Sequence, residues 1–189
     1  MIYTKKEIKQ KAKWTYADFS FLPAELRCEI IDQSLFMAPS PSFEHQSSSG
    51  NLFSLLHTYV KKKKLGAVVA APMDVVFDNN NVVQPDIIFV SQANGKIIKD
   101  VVHGVPDCLI EVVSPGYVRF DRVKKYALYE KFGVKEYWIV DPGNKLIEVF
   151  VLENKKYKLH SCAEVKGKVF SKIVSGFTVD IKKVFSRSI

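Results

Sequence analysis

The sequence predicts an α/β or α+β fold in which helices flank a mixed central β-sheet. Short apolar segments typical of strands recur along the chain, and two long stretches on either side of several of them have the composition of helices. With 189 residues, of which 47% are hydrophobic, the chain is long enough to bury one substantial core. No repeat, low-complexity linker or change of composition divides it. We therefore expect a single domain over 1–189, in which 1–13 form a basic N-terminal tail.

The first part of the chain carries the signals of a short helix, a hairpin and a long helix, in that order. Thr15 can cap the short helix, and Pro23 ends it. The hairpin turns at Asp32 and Gln33, between two short apolar segments. The long helix opens with Pro41 at its first helical position. The predicted segments are "TYADFSFL", "RCEIID", "SLFMAP" and 41–64.

Strands dominate the remainder, with one more helix among them. Four strands follow the long helix, with a turn at "DNNN" and a longer connection over 91–105. The next helix contains neither Pro nor Gly until Gly133 ends it. Two strands joined by the turn "PGNK" and a three-segment antiparallel extension complete the chain. The predicted elements are "GAVVAAP", "MDVVF", "PDIIFV", "DCLIEVV", the helix "DRVKKYALYEKF", "EYWIVD", "LIEVFVL", "YKLHSC", "KVFS" and "FTVDI".

Charge and cysteine content narrow the class of protein. The 28 Lys and Arg against 20 Asp and Glu give a net charge of +8, which attracts polyanions and suits a nucleic-acid partner. The lysine run at 61–64 is either a solvated helix end or a DNA contact. The 3 cysteines are widely spaced, which argues against a disulfide framework or a zinc site and favours a reducing cytoplasm. No apolar run is long enough to span a membrane, and the start of the chain lacks the apolar core of a signal peptide.

A carboxylate stands in the middle of one apolar strand. In "DCLIEVV", Glu111 is surrounded by residues typical of a strand that is covered on both faces. An ionised carboxylate in such a layer costs on the order of several kcal/mol unless a cation, a metal or a shared proton compensates it. Asp86 follows Pro85 at a predicted strand end, so the two carboxylates share a face if their strands are neighbours. A lysine or a divalent ion such as Mg²⁺ could join them.

These residues resemble a known nuclease pattern. The order of "PD", a hydrophobic strand with a Glu, and a later Lys is similar to the PD-(D/E)XK superfamily, which contains many restriction endonucleases. A more specific resemblance, over nearly the whole chain, is to the Uma-two family of bacterial endonucleases. It rests on "TYADFSFLPA", "CEIIDQSLFMAPSPSFEHQ", "APMDVVF", "VVQPDIIFVS", "PDCLIEVVSP", "DRVKKYALYEKFGVKEYWIVDP" and "SGFTVDI". The chain departs from the family pattern at "IDQSL" and at "SPGYVRFD".

The resemblance implies an active site, position by position. Asp86 and Glu111 match metal-binding carboxylates. Val113 occupies the place of the usual strand lysine, and the resemblance implies that Lys125 of the following helix replaces it. Tyr129 lies four residues further on, hence on the same helical face, and the pair is similar to the Gln-x-x-x-Tyr helix of related nucleases.

The resemblance also implies a cofactor and a reaction. Glu29 matches a further acidic position, and His45 matches the histidine at the start of the first long helix. Mg²⁺ or Mn²⁺ would polarise the phosphate and activate water, and Lys125 would orient or deprotonate that water. The protein would then be a cytoplasmic deoxyribonuclease that releases 5′-phosphate and 3′-hydroxyl ends, with DNA as its partner and a homodimer by analogy with relatives. The implied metal ligands are Asp86, Glu111, Glu29 and His45.

Each of these residues also has a purely structural explanation. Glu111 could belong to a buried ion pair, and Asp86 could be a turn residue. Lys125 could lie on a solvated charged face. His45 could serve the helix end, and Glu29 could pair across the hairpin. Two other classes of function therefore stay open, a nucleic-acid-binding module on the same fold that no longer cuts, and a structural or toxin-associated partner protein.

Overall fold

The protein consists of mixed β-sheets flanked by helices. The structure, a computed structural model, describes residues 8, 11–23, 26–38 and 40–186. Most of the predicted basic tail lies outside these residues. The helices are α1 (Tyr16–Phe19), α2 (Phe43–Lys63), α3 (Tyr126–Phe132) and α4 (Ile181–Val184), with a 3₁₀ helix at Gln92–Ile97 and a π-helix at Phe120–Lys125. The strands are β1 (Cys28–Ile31), β2 (Ser34–Met37), β3 (Gly66–Ala70), β4 (Val75–Asp78), β5 (Asn81–Val83), β6 (Ile87–Ser91), β7 (Val102–His103), β8 (Cys108–Val112), β9 (Glu136–Asp141), β10 (Leu146–Glu153), β11 (Lys156–Glu164), β12 (Lys168–Phe170) and β13 (Thr178–Asp180).

A six-stranded sheet in the order β11-β10-β9-β8-β6-β3 forms the centre of the fold. Its one parallel pair is β8–β9, which the π-helix and α3 connect. On one face Leu56 of α2 packs with Ile110, and on the other face Leu128 of α3 packs with Leu109. Strand β8 is thus covered on both sides, which explains its continuous apolar run, and Glu111 shares the side of Leu109 that α3 covers. The predicted mixed sheet flanked by helices is confirmed.

A second sheet, in the order β2-β1-β5-β4-β7, stands beside the first. The predicted hairpin is confirmed, since β1 pairs with β2 and the turn residues Asp32 and Gln33 have positive φ values of 46° and 64°. Two asparagines turn the chain within "DNNN", but Asn81 already begins strand β5, which the sequence patterns did not predict. Strand β5 pairs with β1, and this pairing holds Glu29 next to the segment that leads to Asp86.

One helix start and one helix end illustrate how local chemistry sets the boundaries. The prediction that Pro41 opens the long helix is wrong, because α2 begins at Phe43 and Ser42 is its N-cap. The Ser42 hydroxyl accepts a hydrogen bond from the backbone N–H of His45 at 3.2 Å, which satisfies a donor that the first turn leaves free. Gly133, with φ of 82°, ends α3 as predicted. No helix within the described ranges is long and apolar enough to cross a membrane.

One buried carboxylate helps to attach the C-terminal extension to the central sheet, beside the pairing of β11 with β10 and a shared apolar core. The predicted antiparallel pairing is confirmed by β10–β11 and β12–β13. Glu136 is fully buried, and it accepts hydrogen bonds from the Trp138 indole at 2.7 Å and the Ser171 hydroxyl at 2.6 Å. The backbone N–H groups of Lys172 and Ile173 donate to its second oxygen at 2.6 and 3.0 Å. The Cys108 thiol also donates to it at 3.7 Å, so the carboxylate accepts from five donors at once.

Replacement of this carboxylate should destabilise the protein. In Glu136→Gln, an amide N–H₂ group faces backbone N–H donors, so buried donors lose their acceptor. We expect the free energy of unfolding to fall by about 2–4 kcal/mol, because the lost hydrogen bonds are to a charged group and the donors stay buried. Urea denaturation followed by circular dichroism measures this change. A variant with wild-type stability would contradict the role given to Glu136.

Candidate active site

Strand register brings the two predicted carboxylates together. Strands β6 and β8 are antiparallel neighbours, with Ile87 opposite Ile110. Asp86 immediately precedes β6, so it lies opposite Glu111 across the pair. Its Oδ2 atom accepts a hydrogen bond from the backbone N–H of Val112 at 2.7 Å, which fixes the carboxylate at the end of the sheet. The condition for the two carboxylates to share a face, that their strands are neighbours in one sheet, is therefore met.

A buried lysine compensates the carboxylate in the middle of strand β8. The Nζ atom of Lys125 lies 3.0 Å from Oε1 of Glu111 and 2.9 Å from Oε1 of Glu29. The Tyr129 hydroxyl donates to the same Glu111 oxygen at 2.6 Å. Glu111 and Lys125 are only 3% and 5% exposed. The structure therefore excludes a solvated surface position for Lys125, and its ammonium group is a direct partner of Glu111.

The π-helix positions two charged side chains beside Glu111. Asp121 and Lys125 are both buried, whereas Lys124 between them is exposed. The buried Tyr137 hydroxyl donates at 3.1 Å to the backbone carbonyl of Asp121, which holds the first turn against the sheet. The π-helix is a rare conformation that occurs frequently at functional sites. Tyr129 follows one turn after Lys125 on α3, so one helical segment contributes the lysine, its tyrosine neighbour and an additional acid.

Two other predicted residues reach the site from separate elements. Glu29 on β1 accepts from Lys125 and, at 2.8 Å, from the backbone N–H of Gln84. His45 in the first turn of α2 has its Nε2 atom 3.3 Å from Oδ2 of Asp86. Its Nδ1 atom is buried and has no hydrogen-bond partner among the described residues. A buried nitrogen in that state is a suitable contact for a substrate group or a bound water molecule.

A cavity of about 70 Å³ collects these side chains. The predicted residues that line it are Glu29, His45, Asp86, Glu111 and Lys125. Tyr129 does not line it, because it is fully buried behind Glu111, and its hydroxyl is placed to orient that carboxylate. Asp121 and Arg27 also line the cavity, and sequence reasoning missed both. The spacing of four residues between Asp121 and Lys125 was a usable signal, whereas nothing in the sequence distinguished Arg27.

Burial first, and then the charges of neighbouring side chains, shift the pKa values of groups in the cavity, where acids outnumber cations. Burial raises the pKa of Glu111 well above its ordinary value, and burial raises that of Asp121 to about 7, while Lys125 opposes both effects. Burial alone would lower the pKa of Lys125, but Glu111, Glu29 and Asp121 outweigh it and raise that pKa well above its ordinary value. Lys125 is therefore a permanent cation that can orient or attract an anion. It is poorly suited to deprotonating water, one of the two roles the resemblance left open to it.

The donor set fits a hard divalent cation with few protein ligands. Within the described part of the chain, no three His, Cys, Asp or Glu side chains are grouped so as to hold a metal ion. Mg²⁺ commonly binds one or two carboxylates and keeps several waters. Asp86 and Glu111 at the cavity wall can provide the two carboxylates. The surplus of acids over cations also favours a positive ion there. All four side chains already have charged or polar partners, Asp86 and His45 with each other and Glu111 and Glu29 with Lys125, so the ligand roles of all four stay predictions.

Substitution of Asp121 should change how stability depends on pH. Its pKa of about 7 is raised above the ordinary value of 3.8, so the stability from the neutral acid is complete below about pH 3.8 and is lost as the pH rises through about 7. Asp121→Asn removes this titration. From about pH 5 to about pH 8, we expect the wild type to lose about 2 kcal/mol more unfolding free energy than the variant in urea denaturation. Parallel pH profiles for the two proteins would contradict the burial of an ionisable Asp121.

The lysine run at the end of α2 lies far from this cavity. His45 is in the first turn of the helix and Lys63 is its last residue, which at about 1.5 Å per residue separates them by roughly 27 Å. The lysines are exposed, and the left-handed conformation of Lys64 ends the helix there. A phosphate in the cavity is out of reach of these side chains. Both explanations, a solvated helix end and a contact with a more distant part of a bound DNA, stay predictions.

Comparison with known proteins supplies the family. No curated protein matches the chain. A crystal structure described as "a putative nuclease belonging to DUF820", from Anabaena variabilis ATCC 29413, is similar in fold, with a TM-score of 0.74 and 20% identity over 90% of this chain and 97% of that one. The model of the Uma2 family, described as "Putative restriction endonuclease", matches residues 15–182. Because this match covers most of the sequence, the resemblance is confirmed and the chain belongs to the Uma2 family.

Proposed function

We propose that the protein is a divalent-cation-dependent nuclease that hydrolyses phosphodiester bonds of DNA. Family membership and the shared fold support a nuclease in general. The observation that supports the finer proposal is the arrangement of Lys125 between Glu111 and Glu29, at the wall of a cavity that Asp86 and His45 also line. A fixed ammonium beside a pair of carboxylates is suited to phosphoryl chemistry, because both anionic substrate and cation can be placed there.

Each side chain has a part in this proposal that follows from its contacts. A divalent cation at Asp86 and Glu111 would supply charge neutralisation and would acidify a bound water. Lys125 keeps its proton and draws a phosphate oxygen towards the cavity. Tyr129 holds Glu111 in position through its 2.6 Å hydrogen bond. The carboxylate of Asp121, with a pKa of about 7, is suited to accept the proton of the attacking water near neutral pH.

Removal of the cation tests the proposal. Purified protein should cut plasmid and single-stranded DNA in the presence of Mg²⁺ or Mn²⁺, and EDTA in excess should abolish cutting because the carboxylates act through the ion. Readdition of Mg²⁺ should restore it, which excludes damage by the chelator. The expected ends are a 5′-phosphate and a 3′-hydroxyl, which end-labelling by ligase and kinase distinguishes. Cleavage that persists unchanged in EDTA would contradict the role of a cation.

Two observations favour a second candidate, a nucleic-acid-binding protein that no longer cuts. Among the described residues, metal-binding side chains do not gather in threes, and Lys125 already neutralises part of the carboxylate charge. Such a protein would bind DNA with a strong dependence on salt, and neither Mg²⁺ nor Mn²⁺ would produce cleavage. Failure of the wild type to cut DNA or RNA of any form would favour this candidate. A homodimer and a cytoplasmic location stay predictions for both candidates.

A further inference from the structure

A groove of about 550 Å³ adjoins the active-site cavity. It lies between α2 and the end of β3. Groove and cavity share three wall residues, Arg27, Gln84 and Asp86, so the two spaces meet at the same side chains. The cavity, at about 70 Å³, has room for little more than a phosphate group and water. The groove is of the size that ordinarily accommodates a small organic ligand, about 300–1,000 Å³.

The walls of the groove combine a cation with an aromatic ring. Arg27, on the rim towards the cavity, is exposed and forms no ion pair within the described ranges. Phe53 of α2 lines the groove further along, half-buried and stacked on His57 with ring centroids 5.3 Å apart. Arginine recognises phosphate through paired N–H donors, and an aromatic ring offers a surface for a nucleobase. The wall therefore carries both chemistries that a nucleotide needs.

Small side chains between these two residues keep the groove open. Ser49 and Gly50 on α2 face Ala70 and Ala71 across it. A Cβ atom added at Gly50 would meet no other atom within 4 Å, so this position borders free space. Gln46 on the same face of α2 precedes Phe53 by about two helical turns, roughly 10 Å along the axis. A nucleoside thus has room to lie along the helix.

We propose that this groove binds the nucleotide next to the scissile phosphate, with a phosphate at Arg27 and the base against Phe53. The identity of the scissile bond rests on the proposed nuclease function. A base that lies on Phe53 must leave its stack and its partner strand. The substrate class that follows is single-stranded or locally unpaired nucleic acid, and a fully paired duplex has to open before it enters the groove.

Two glycine substitutions form a matched test of the groove. Gly50→Phe fills it with a side chain, while Gly95→Phe adds the same side chain to the 3₁₀ helix, where an added Cβ also meets nothing within 4 Å. Binding of a labelled single-stranded DNA oligonucleotide is measured by fluorescence anisotropy in EDTA, so that cleavage does not interfere. We expect Gly50→Phe to weaken binding about tenfold or more and Gly95→Phe to bind as the wild type does. Arg27→Gln, at an exposed position, should weaken binding similarly.

The outcomes separate this inference from the proposed function. Equal binding by Gly50→Phe and Gly95→Phe, with both proteins folded by circular dichroism, overturns the groove even if the wild type cuts DNA with Mg²⁺. A loss confined to Gly50→Phe and Arg27→Gln supports the groove even if the wild type cuts nothing. A wild type that binds duplex of the same sequence more tightly than the single strand overturns the substrate class. No detectable binding of the single strand by the wild type overturns the inference as well.

Discussion

Glu111→Gln should lower DNA cleavage by about 100-fold or more and leave the protein folded. The amide keeps the size of the side chain and an oxygen that can accept from Tyr129, but it removes one of two carboxylates available to a cation. Folding should survive because Lys125 retains Glu29 as its counter-ion at 2.9 Å. Loss of one ion-pair partner is costly when it leaves an isolated charge in the interior, and here no isolated charge is left. Initial cleavage rates and thermal unfolding of the purified variant measure the two effects.

Glu136→Gln is the matched control on the neighbouring strand. Both positions are buried glutamates in paired strands, but Glu136 contacts only structural donors and lies outside the cavity. It should lose stability and keep its cleavage rate per folded molecule, the reverse of Glu111→Gln. A wild-type rate from Glu111→Gln would rule out the proposed site. If Glu111→Gln lost only as much activity as its unfolded fraction accounts for, Glu111 would be a structural ion-pair residue.

The parts of the fold that follow local rules could be predicted from the sequence. The hairpin turn and the end of α3 at Gly133 depend on a few adjacent residues, and so does the apolar run of β8. Strand β5 was missed because its three residues follow directly on an asparagine turn and become a strand only by pairing with β1 and β4. The start of α2 was misplaced because Pro41 and Ser42 both favour a helix start, and the hydrogen bond of Ser42 decides between them.

The residues of the candidate site also fall into those that the sequence could identify and those that it could not. Asp86 and Glu111 could be placed together because both are anomalous in their own segments and antiparallel register makes them opposite. Lys125 was selected through the family resemblance, since nothing local distinguishes it from the exposed Lys124. Asp121 was overlooked although its spacing of four residues from Lys125 offered a local signal. Arg27 was missed because its importance comes from distant elements that converge on one cavity. Long-range contacts of this kind leave little trace in a single sequence.

Lys125→Met should destabilise the fold more at alkaline than at acidic pH. Lys125 is the buried cation that Glu111, Glu29 and Asp121 surround, at 3.0, 2.9 and 3.9 Å. Without it, the carboxylates share a buried space with no opposite charge, and breaking a buried pair in this way costs about 3–5 kcal/mol. The folded pKa values of Glu111 and Asp121, which burial already raises, then rise further above their unfolded values, so stability is retained at low pH and lost as the pH increases.

Lys124→Met provides the control, because it changes the preceding residue, which is exposed and lies over the Phe36 ring at 4.8 Å. Urea denaturation at about pH 5 and about pH 8 should give Lys124→Met a stability within about 1 kcal/mol of the wild type at both values. Lys125→Met should show its full deficit at the higher pH and a smaller one at the lower. Addition of Glu111→Gln to Lys125→Met should recover part of the lost stability, since the double variant has fewer buried carboxylates without a cation. Equal stabilities of the two methionine variants at about pH 8 would mean that Lys125 does not balance the buried carboxylates. The charge balance assigned to the site would then be wrong.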